Sequence, residues 1–320
     1  MRKTLVFTIF LILGLNILSL GESLALTISP AKIILSADPG ETFEVVMRVR
    51  NDLERTVTHI SSVERYTVRG GEEPIFYPEG FGLPTWIEVP AELTLGPGES
   101  VEVPVKIRVP EDASPGGHYA VIFWATAPPK GEGAIGIVTK VGALVLLEVS
   151  GEVIESAEIS DFKAQKKFFT HLPIGFSFTL KNTGNVHLMP LGEVIIKNIF
   201  GKTLAILKVN PGQYYALPDT TRTFTTANWE PEGGMPKIEG KGFFAELKRE
   251  KAGFAFGYYK ADLNIEYGKE RKTAQASFGF WVLPWRILLI AILILAVILL
   301  IFTKGISVYN RWIIAKARQS

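Results

Sequence analysis

Every residue from Ile287 to Phe302 is apolar. With Pro284, Trp285 and Arg286 before it and Thr303 after it, the segment holds about 20 residues. At about 1.5 Å per residue, a helix of that length reaches about 30 Å, the thickness of a bilayer's hydrocarbon core. A helix packed in a soluble domain keeps a polar face, and four turns here have none. The sequence therefore predicts one transmembrane helix over residues 284–303. The rest of the chain must then be explained as something held at a membrane surface.

The leader gives that membrane a direction. Met1-Arg2-Lys3 is a basic start, and Leu5 to Leu20 is an apolar run broken by Thr8, Gly14, Asn16 and Ser19. Ser23-Leu24-Ala25 places small residues at the last and third-last positions before a cleavage site. This predicts a secretory signal peptide over residues 1–25, with an uncleaved anchor as the alternative. Lys304, Arg311, Lys316 and Arg318 follow the apolar run closely, and the positive-inside rule puts that tail, 304–320, in the cytoplasm. Residues 26–282 are then extracellular or periplasmic. Trp281 and Trp285 are expected at the outer face of the membrane as an aromatic belt. Arg286, beside them, is expected to snorkel into the headgroups.

Charge and cysteine exclude several classes. The chain has 34 Lys and Arg against 32 Asp and Glu. Setting aside Arg2, Lys3, Glu22, Arg286, Lys304, Arg311, Lys316 and Arg318 leaves 27 basic and 31 acidic residues for the exported region. That slight acidity argues against a nucleic-acid partner. There is no cysteine, so disulfides, thiolate zinc sites, a cysteine nucleophile and a lipid-bearing cysteine are all excluded. The exported region must stand on hydrophobic cores alone, and two domains of about 125 residues can do so.

In residues 26–150 the hydrophobic period is two. Phe43, Val45, Met47 and Val49 alternate with Glu44, Val46, Arg48 and Arg50, and Val101, Val103, Val105, Ile107 and Val109 alternate with Glu102, Pro104, Lys106 and Arg108. Both patterns are strands with one wet face. Pro104 removes a ladder donor and predicts that its strand lies at a sheet edge. The turns Asp38-Pro39-Gly40-Glu41, Gly96-Pro97-Gly98-Glu99 and Pro115-Gly116-Gly117 separate the runs. About seven short strands predict an antiparallel sandwich of immunoglobulin-like architecture.

Ile28-Ser-Pro, Pro39-Gly-Glu41 and Val49-Arg-Asn51 resemble the opening of the peptidoglycan-binding domain of WxL-interacting surface proteins. So do Trp86-Ile-Glu-Val-Pro90, Leu95-Gly-Pro-Gly-Glu-Ser100 and Val109-Pro-Glu-Asp-Ala-Ser-Pro-Gly-Gly-His-Tyr119. The resemblance covers most of residues 26–127. It implies a membrane-anchored surface protein that contacts cell-wall polymer or a partner surface protein.

A second immunoglobulin-like sandwich is predicted over residues 151–282. Strands are expected at 153–161, 174–181, 192–199, 203–208, 221–228, 243–247 and 260–266. Phe254-Ala-Phe-Gly-Tyr-Tyr259 is expected in the core and a hairpin. Leu180-Lys-Asn-Thr-Gly-Asn-Val-His187, with Pro190 and Gly192, resembles the distal domain of the same surface proteins, and no ligand residue is implied by it. The fold class is thus all-β: two tandem immunoglobulin-like domains, a signal peptide and one C-terminal transmembrane helix.

Catalytic and metal signatures are scarce. His59, His118, His171 and His187 have no partner at zinc-ligand spacing, and no Asp-x-Asp-x-Asp calcium loop is present. Neither a Gly-x-Ser-x-Gly nor a phosphate-binding glycine motif occurs. No metal, cofactor or enzymatic activity is expected. Leu217-Pro-Asp-Thr220 has the form of a sortase signal, but its distance from the span predicts a plain turn. Trp281-Val-Leu283 has the form of a WxL tripeptide, but its place beside the span predicts the aromatic belt.

The most suggestive stretch is the loop from Arg69 to Pro84, which carries Phe76, Tyr77 and Phe81 among glycines and prolines. Aromatic rings on a scaffolded loop suit a glycan or a protein surface. The competing expectation is that these rings fold back and cap the sandwich. The sequence as a whole predicts a non-enzymatic surface protein that binds cell-wall polymer or another surface protein. The alternative is a scaffold or accessory subunit of a membrane complex.

Overall fold

The computed structural model describes residues 26–70, 72–78, 80–127 and 140–317, with side chains as far as residue 310. The leader expected over 1–25 lies outside the described residues, as do the side chains of Arg311, Lys316 and Arg318. The chain divides into two compact units, Met1–Glu155 with Gly184–His187, and Ser156–Thr183 with Leu188–Ser320.

Unit 1 contains β1 (Leu26–Ser29), β2 (Lys32–Ala37), β3 (Thr42–Asn51), β4 (Val57–Arg69), β5 (Glu73–Tyr77), β6 (Ile87–Glu88), β7 (Glu92–Leu95), β8 (Ser100–Arg108), β9 (Gly116–Thr126) and β10 (Lys140–Val149). One sheet runs β1-β3-β8-β6, and the other runs β2-β10-β9-β4-β5 with β7 also on β4. Met47, Val49, Val103, Val105 and Ile107 of the first sheet pack against Ile122, Trp124, Val145 and Leu147 of the second. These are the inward residues of the period-two pattern, and together they close an immunoglobulin-like sandwich. Val46, on the opposite phase, is exposed. Contrary to the edge expected from Pro104, β8 lies between β3 and β6, but β6 covers only Lys106 and Ile107, so beside Pro104 that side of the strand is open.

Two departures from the sequence expectation have local causes. The sandwich is not purely antiparallel, because β2 runs parallel to β10 from Lys32↔Leu144 to Ala37↔Val149. Pro30 cannot donate to a ladder, so the pairing of β1 ends at Ser29, and the chain crosses to the other sheet while keeping its direction. Both Pro-Gly-Glu turns use one device. Gly40 and Gly98 take positive φ, and the glutamate side chain reaches back to a backbone N–H three residues earlier: Asp38 N–H to Glu41 at 2.9 Å and Gly96 N–H to Glu99 at 2.6 Å.

Unit 2 contains β11 (Ala157–Ala164), β12 (Phe168–Phe169), β13 (Phe176–Asn182), β14 (Leu191–Asn198), β15 (Thr203–Lys208), β16 (Thr221–Thr225), α1 (Phe243–Ala252), β17 (Gly257–Tyr267), β18 (Lys272–Val282) and α2 (Trp285–Ala317). Its sheets are β11-β13-β16 and β12-β18-β17-β14-β15. Phe178 and Phe224 stack at 5.5 Å, and Phe280 lies among Phe176, Trp229 and Tyr259. This is the second immunoglobulin-like sandwich, again with one parallel pair, β12 on β18. Leu217 to Thr220 is a turn closed by Thr220 N–H to the Leu217 carbonyl at 3.3 Å.

The strand expected at 243–247 is instead the first half of α1. Ala245-Glu-Leu-Lys-Arg-Glu-Lys-Ala252 is built of strong helix formers, and Glu246 and Arg249 pair one turn apart. Phe254 and Phe256, expected in the core, are exposed, while Ala255 and Tyr259 are buried. The strand β18 lies outside the expected strands, because Ala274 and Ala276 carry the inward phase with too little side chain to mark it.

Helix α2 continues past 303, where the apolar run ends. Gly305 weakens a helix by only about 1 kcal/mol and does not end it. The Thr303 hydroxyl bonds back to the Leu299 and Leu300 carbonyls, so this polar side chain is satisfied inside the helix. Residues Trp285–Asn310 are long and apolar enough to cross a membrane, and none of the apolar window is covered by protein.

Candidate functional site

The register of β4 against β5 decides where the loop aromatics go. Arg65 lies opposite Tyr77, and Tyr66 lies opposite Phe76. Directly opposed residues share a face and neighbours alternate, so the two pairs point to opposite sides of the sheet.

Phe76 turns onto the outer face. Its ring stacks on Tyr66 at 5.9 Å and meets Phe123 edge-on at 5.1 Å. Lys140 completes this patch, standing 3.9 Å over the Phe123 ring while pairing with the Glu64 carboxylate. Phe76 therefore packs against the outer face of the sheet.

Tyr77 and Phe81 form something different. The Arg65 guanidinium lies 4.5 Å from the Tyr77 ring centre and 4.4 Å from that of Phe81. Each such contact is worth about 0.5–1 kcal/mol when exposed and about 2 when desolvated. Arg65 Nε is buried, and no acceptor among the described residues reaches it. Phe81 is placed by Gly82, which takes φ 71° and ψ −141°, a conformation open to glycine. The Thr85 N–H and hydroxyl both bond the Gly82 carbonyl, at 2.9 and 2.8 Å, starting the short 3-10 turn Leu83–Trp86. Leu83 anchors that turn in the core, while Phe81 remains 66% exposed.

Beyond the clamp lies a hollow of about 590 Å³. Arg65, Phe81, Trp86, Asp112, His118 and Tyr119 are among the residues around it. Trp86 and His118 are in ring contact at 4.7 Å, and His118 Nε2 lies 2.9 Å from the Ser114 carbonyl. Burial pushes the Tyr119 phenol far above its usual value, with the Glu148 charge adding to it, so this hydroxyl stays protonated. The hollow thus includes in its lining a planar cation, the aromatic side chains of Tyr66, Phe81, Trp86 and Tyr119, an imidazole and one carboxylate. It can hold a ring-shaped or planar ligand with an acidic group. Among the described residues, no group of three His, Cys, Asp or Glu side chains gathers to hold a metal.

Phe81 and Tyr77 were legible from the sequence as candidates, whereas Arg65, Trp86 and His118 were not. One signal existed for Arg65. It shares the phase of His59 and Val63 on β4, and His59 is fully buried while Val63 packs on the core, so a cation there sits on a core-facing phase.

In unit 2 the structure places Trp281 at the end of β18 and Trp285 at the start of α2, both exposed. Tyr258 contacts Trp281 at 5.3 Å, and Phe243 contacts Trp285 at 6.1 Å. Arg286, expected to snorkel toward headgroups, pairs its guanidinium with the buried Glu250 carboxylate at 2.9 Å. Its guanidinium also lies 4.5 Å from the Trp285 ring centre.

No family model matches the sequence, and no curated protein matches it. Solved structures do resemble the fold. The class 5 fimbriae chaperone CfaA is 12% identical, with 81% of this chain and 99% of that chain covered, at a TM-score of 0.39. The E. coli chaperone DraB is 12% identical, covering 79% and 96%, at 0.34. The Pseudomonas aeruginosa CupB2 chaperone is 11% identical, covering 80% and 100%, at 0.34. At such identities and scores the likeness assigns no family, ligand or partner to this chain.

Proposed function

We propose that the chain is a non-enzymatic, membrane-anchored surface protein that binds cell-wall polymer or another surface protein through unit 1. Export of residues 26–282, the single span and the cytoplasmic tail belong to this proposal, as does kinship with WxL-interacting surface proteins. The segments that carry that resemblance fall on β1, β3, β6, the two Pro-Gly-Glu turns and the stretch from Val109 into β9, and Trp86, Asp112 and His118 among them border the hollow.

The observation that carries the proposal is the Arg65 clamp at the rim of the hollow. Two rings lie against the guanidinium, so its in-plane N–H groups are what a ligand can reach. That edge matches a carboxylate or phosphate in two-point fashion. Trp86 and Phe81 offer flat apolar faces to a sugar ring or a side chain. A wall polymer carrying acidic groups has both features.

The test is retention of the detergent-solubilised full chain on purified wall, with Arg65→Ala, Arg65→Lys and Phe81→Ala beside it. Retention that drops for all three variants while circular dichroism stays native supports the proposal. Unchanged retention of folded Arg65→Ala and Phe81→Ala rejects the hollow as the site. A stoichiometric membrane partner recovered from the solubilised chain, with no retention on wall, supports the accessory-subunit alternative instead.

A further inference from the structure

The strand registers of unit 2 identify the end from which α2 leaves. β18 finishes at Val282, and Leu283 and Pro284 alone separate it from Trp285. Gly257 pairs with Val282, Phe168 pairs with Trp281, and Asn198 pairs with Tyr259. The start of β17, the short β12 and the β14–β15 turn therefore all lie at this end. Helix α1 belongs to it as well, since Phe243 touches Trp285 and Glu250 holds Arg286.

Those segments expose large apolar side chains together. Phe200, at the tip of the β14–β15 turn, is 86% exposed, and Phe244 of α1 is 76% exposed. Ile199, Phe168, Phe254 and Phe256 are each more than half exposed. The β17–β18 turn at the opposite end carries Lys269, Glu270 and Arg271 instead. Clustered exposed aromatics mark an interaction surface, and aromatic rings favour the boundary between headgroups and acyl chains.

The span decides what covers this surface. Two residues of chain and the Glu250–Arg286 pair tie it to the first turn of α2, so it cannot leave the layer where the helix emerges. We propose that this end of unit 2 is a membrane-seating surface whose occupant is the bilayer interface. Phe200, Phe244, Phe254 and Phe256 enter the headgroup layer around α2. The proposal rests on α2 being a membrane span. Lys166, Lys167 and Lys202 are exposed at this end, but Glu230 and Glu232 border a separate cavity of unit 2 beside Phe254 and Phe256. With both signs present, the seating is driven by apolar insertion and needs no anionic lipid.

The absence of cysteine makes the test direct. Phe200→Cys, Glu270→Cys and Ile292→Cys are each labelled with an environment-sensitive fluorophore. The full chains are then reconstituted in phosphatidylcholine vesicles. The expected result is a blue shift at Cys-labelled position 200, loss of quenching there by aqueous iodide, and quenching by spin-labelled lipid, with the label at 270 behaving as in water. A lipid-embedded label at 292 with an iodide-accessible label at 200 overturns the seating surface and leaves the anchor standing. A water-exposed label at 292 overturns the anchor itself. A label at 200 shielded from both quenchers marks contact with another copy of the chain and overturns the assignment to lipid.

Discussion

Glu250 and Arg286 are 36 residues apart, and two hydrogen bonds to the buried Glu250 carboxylate join them, with a third from Ile287. Glu250 Oε2 accepts the backbone N–H groups of Arg286 at 3.0 Å and Ile287 at 3.1 Å. Glu250 Oε1 accepts the Arg286 guanidinium at 2.9 Å. The first N–H groups of any helix lack intrahelical partners. For α2 the partner comes from α1, so Glu250 caps the helix from outside its own sequence, and its negative charge meets the positive end of the helix dipole. Removing one member of a buried pair leaves the other uncompensated, at about 3–5 kcal/mol. Glu250→Ala should lower the unfolding midpoint of the solubilised chain more than Arg286→Ala does, because only the former strands a buried cation together with two backbone donors. Equal shifts would show that the backbone bonds contribute nothing.

The two halves of the aromatic loop should separate under mutation. Phe76→Ala removes contacts with Tyr66 and Phe123 and should cost about 1–2 kcal/mol of stability with little effect on retention by wall. Phe81→Ala should cost less than about 1 kcal/mol and reduce retention. Urea melts alongside the retention assay give both numbers, and a reversed pattern would exchange the roles of the two rings.

His59 is fully buried, with no partner at either ring nitrogen among the described residues, and burial lowers its pKa from 6.5. The unfolded chain then binds the proton more readily than the folded one. Stability is fully present above the unfolded value of 6.5 and falls as pH drops below it. The urea midpoint of unit 1 should decrease between about pH 7.5 and about pH 5.5, and His59→Phe should flatten that slope. A slope that survives the substitution would place its origin elsewhere.

Asp262 also loses stability on acidification, but at lower pH and because the fold favours its charged form. Burial alone would raise its carboxyl, but hydrogen bonds from Lys260, Ser277 and Lys197 outweigh that and hold it at about 2. The stabilisation is complete above the usual value of 3.8 and is lost as pH falls toward about 2. It amounts to about 2 kcal/mol. Asp262→Asn should destabilise unit 2 at neutral pH and remove most of its acid sensitivity in that window. An acid titration followed by near-ultraviolet circular dichroism reads both effects.

Gly192 sits at φ 144° where β14 passes β17. A Cβ there would lie 2.2 Å from the Asn264 carbonyl oxygen and 2.8 Å from the Ile265 Cα. Backbone on a central strand cannot step aside, so Gly192→Ala should abolish cooperative melting of unit 2. A native melt would mean that β14 shifts its register.

Some of this protein was decided by the sequence alone, because it depends on near neighbours in the chain. The apolar run from Ile287 to Phe302, the alternation at 43–50 and 101–109 and the two Pro-Gly-Glu turns are local. They were enough for two immunoglobulin-like sandwiches and one membrane-length helix. Tertiary structure decided the rest, because strand register and long-range pairing have no local signature. The β4–β5 register sent Phe76 to one face and Tyr77 to the other, and so set the Tyr77 ring against the Arg65 guanidinium. The registers of β12, β14, β17 and β18 gathered Phe168, Phe200 and Trp281 at one end of unit 2. Glu250 became the cap of α2 only because residues 243–252 coil into a helix that folds back onto Arg286, where water is excluded and a buried charge must find its partner.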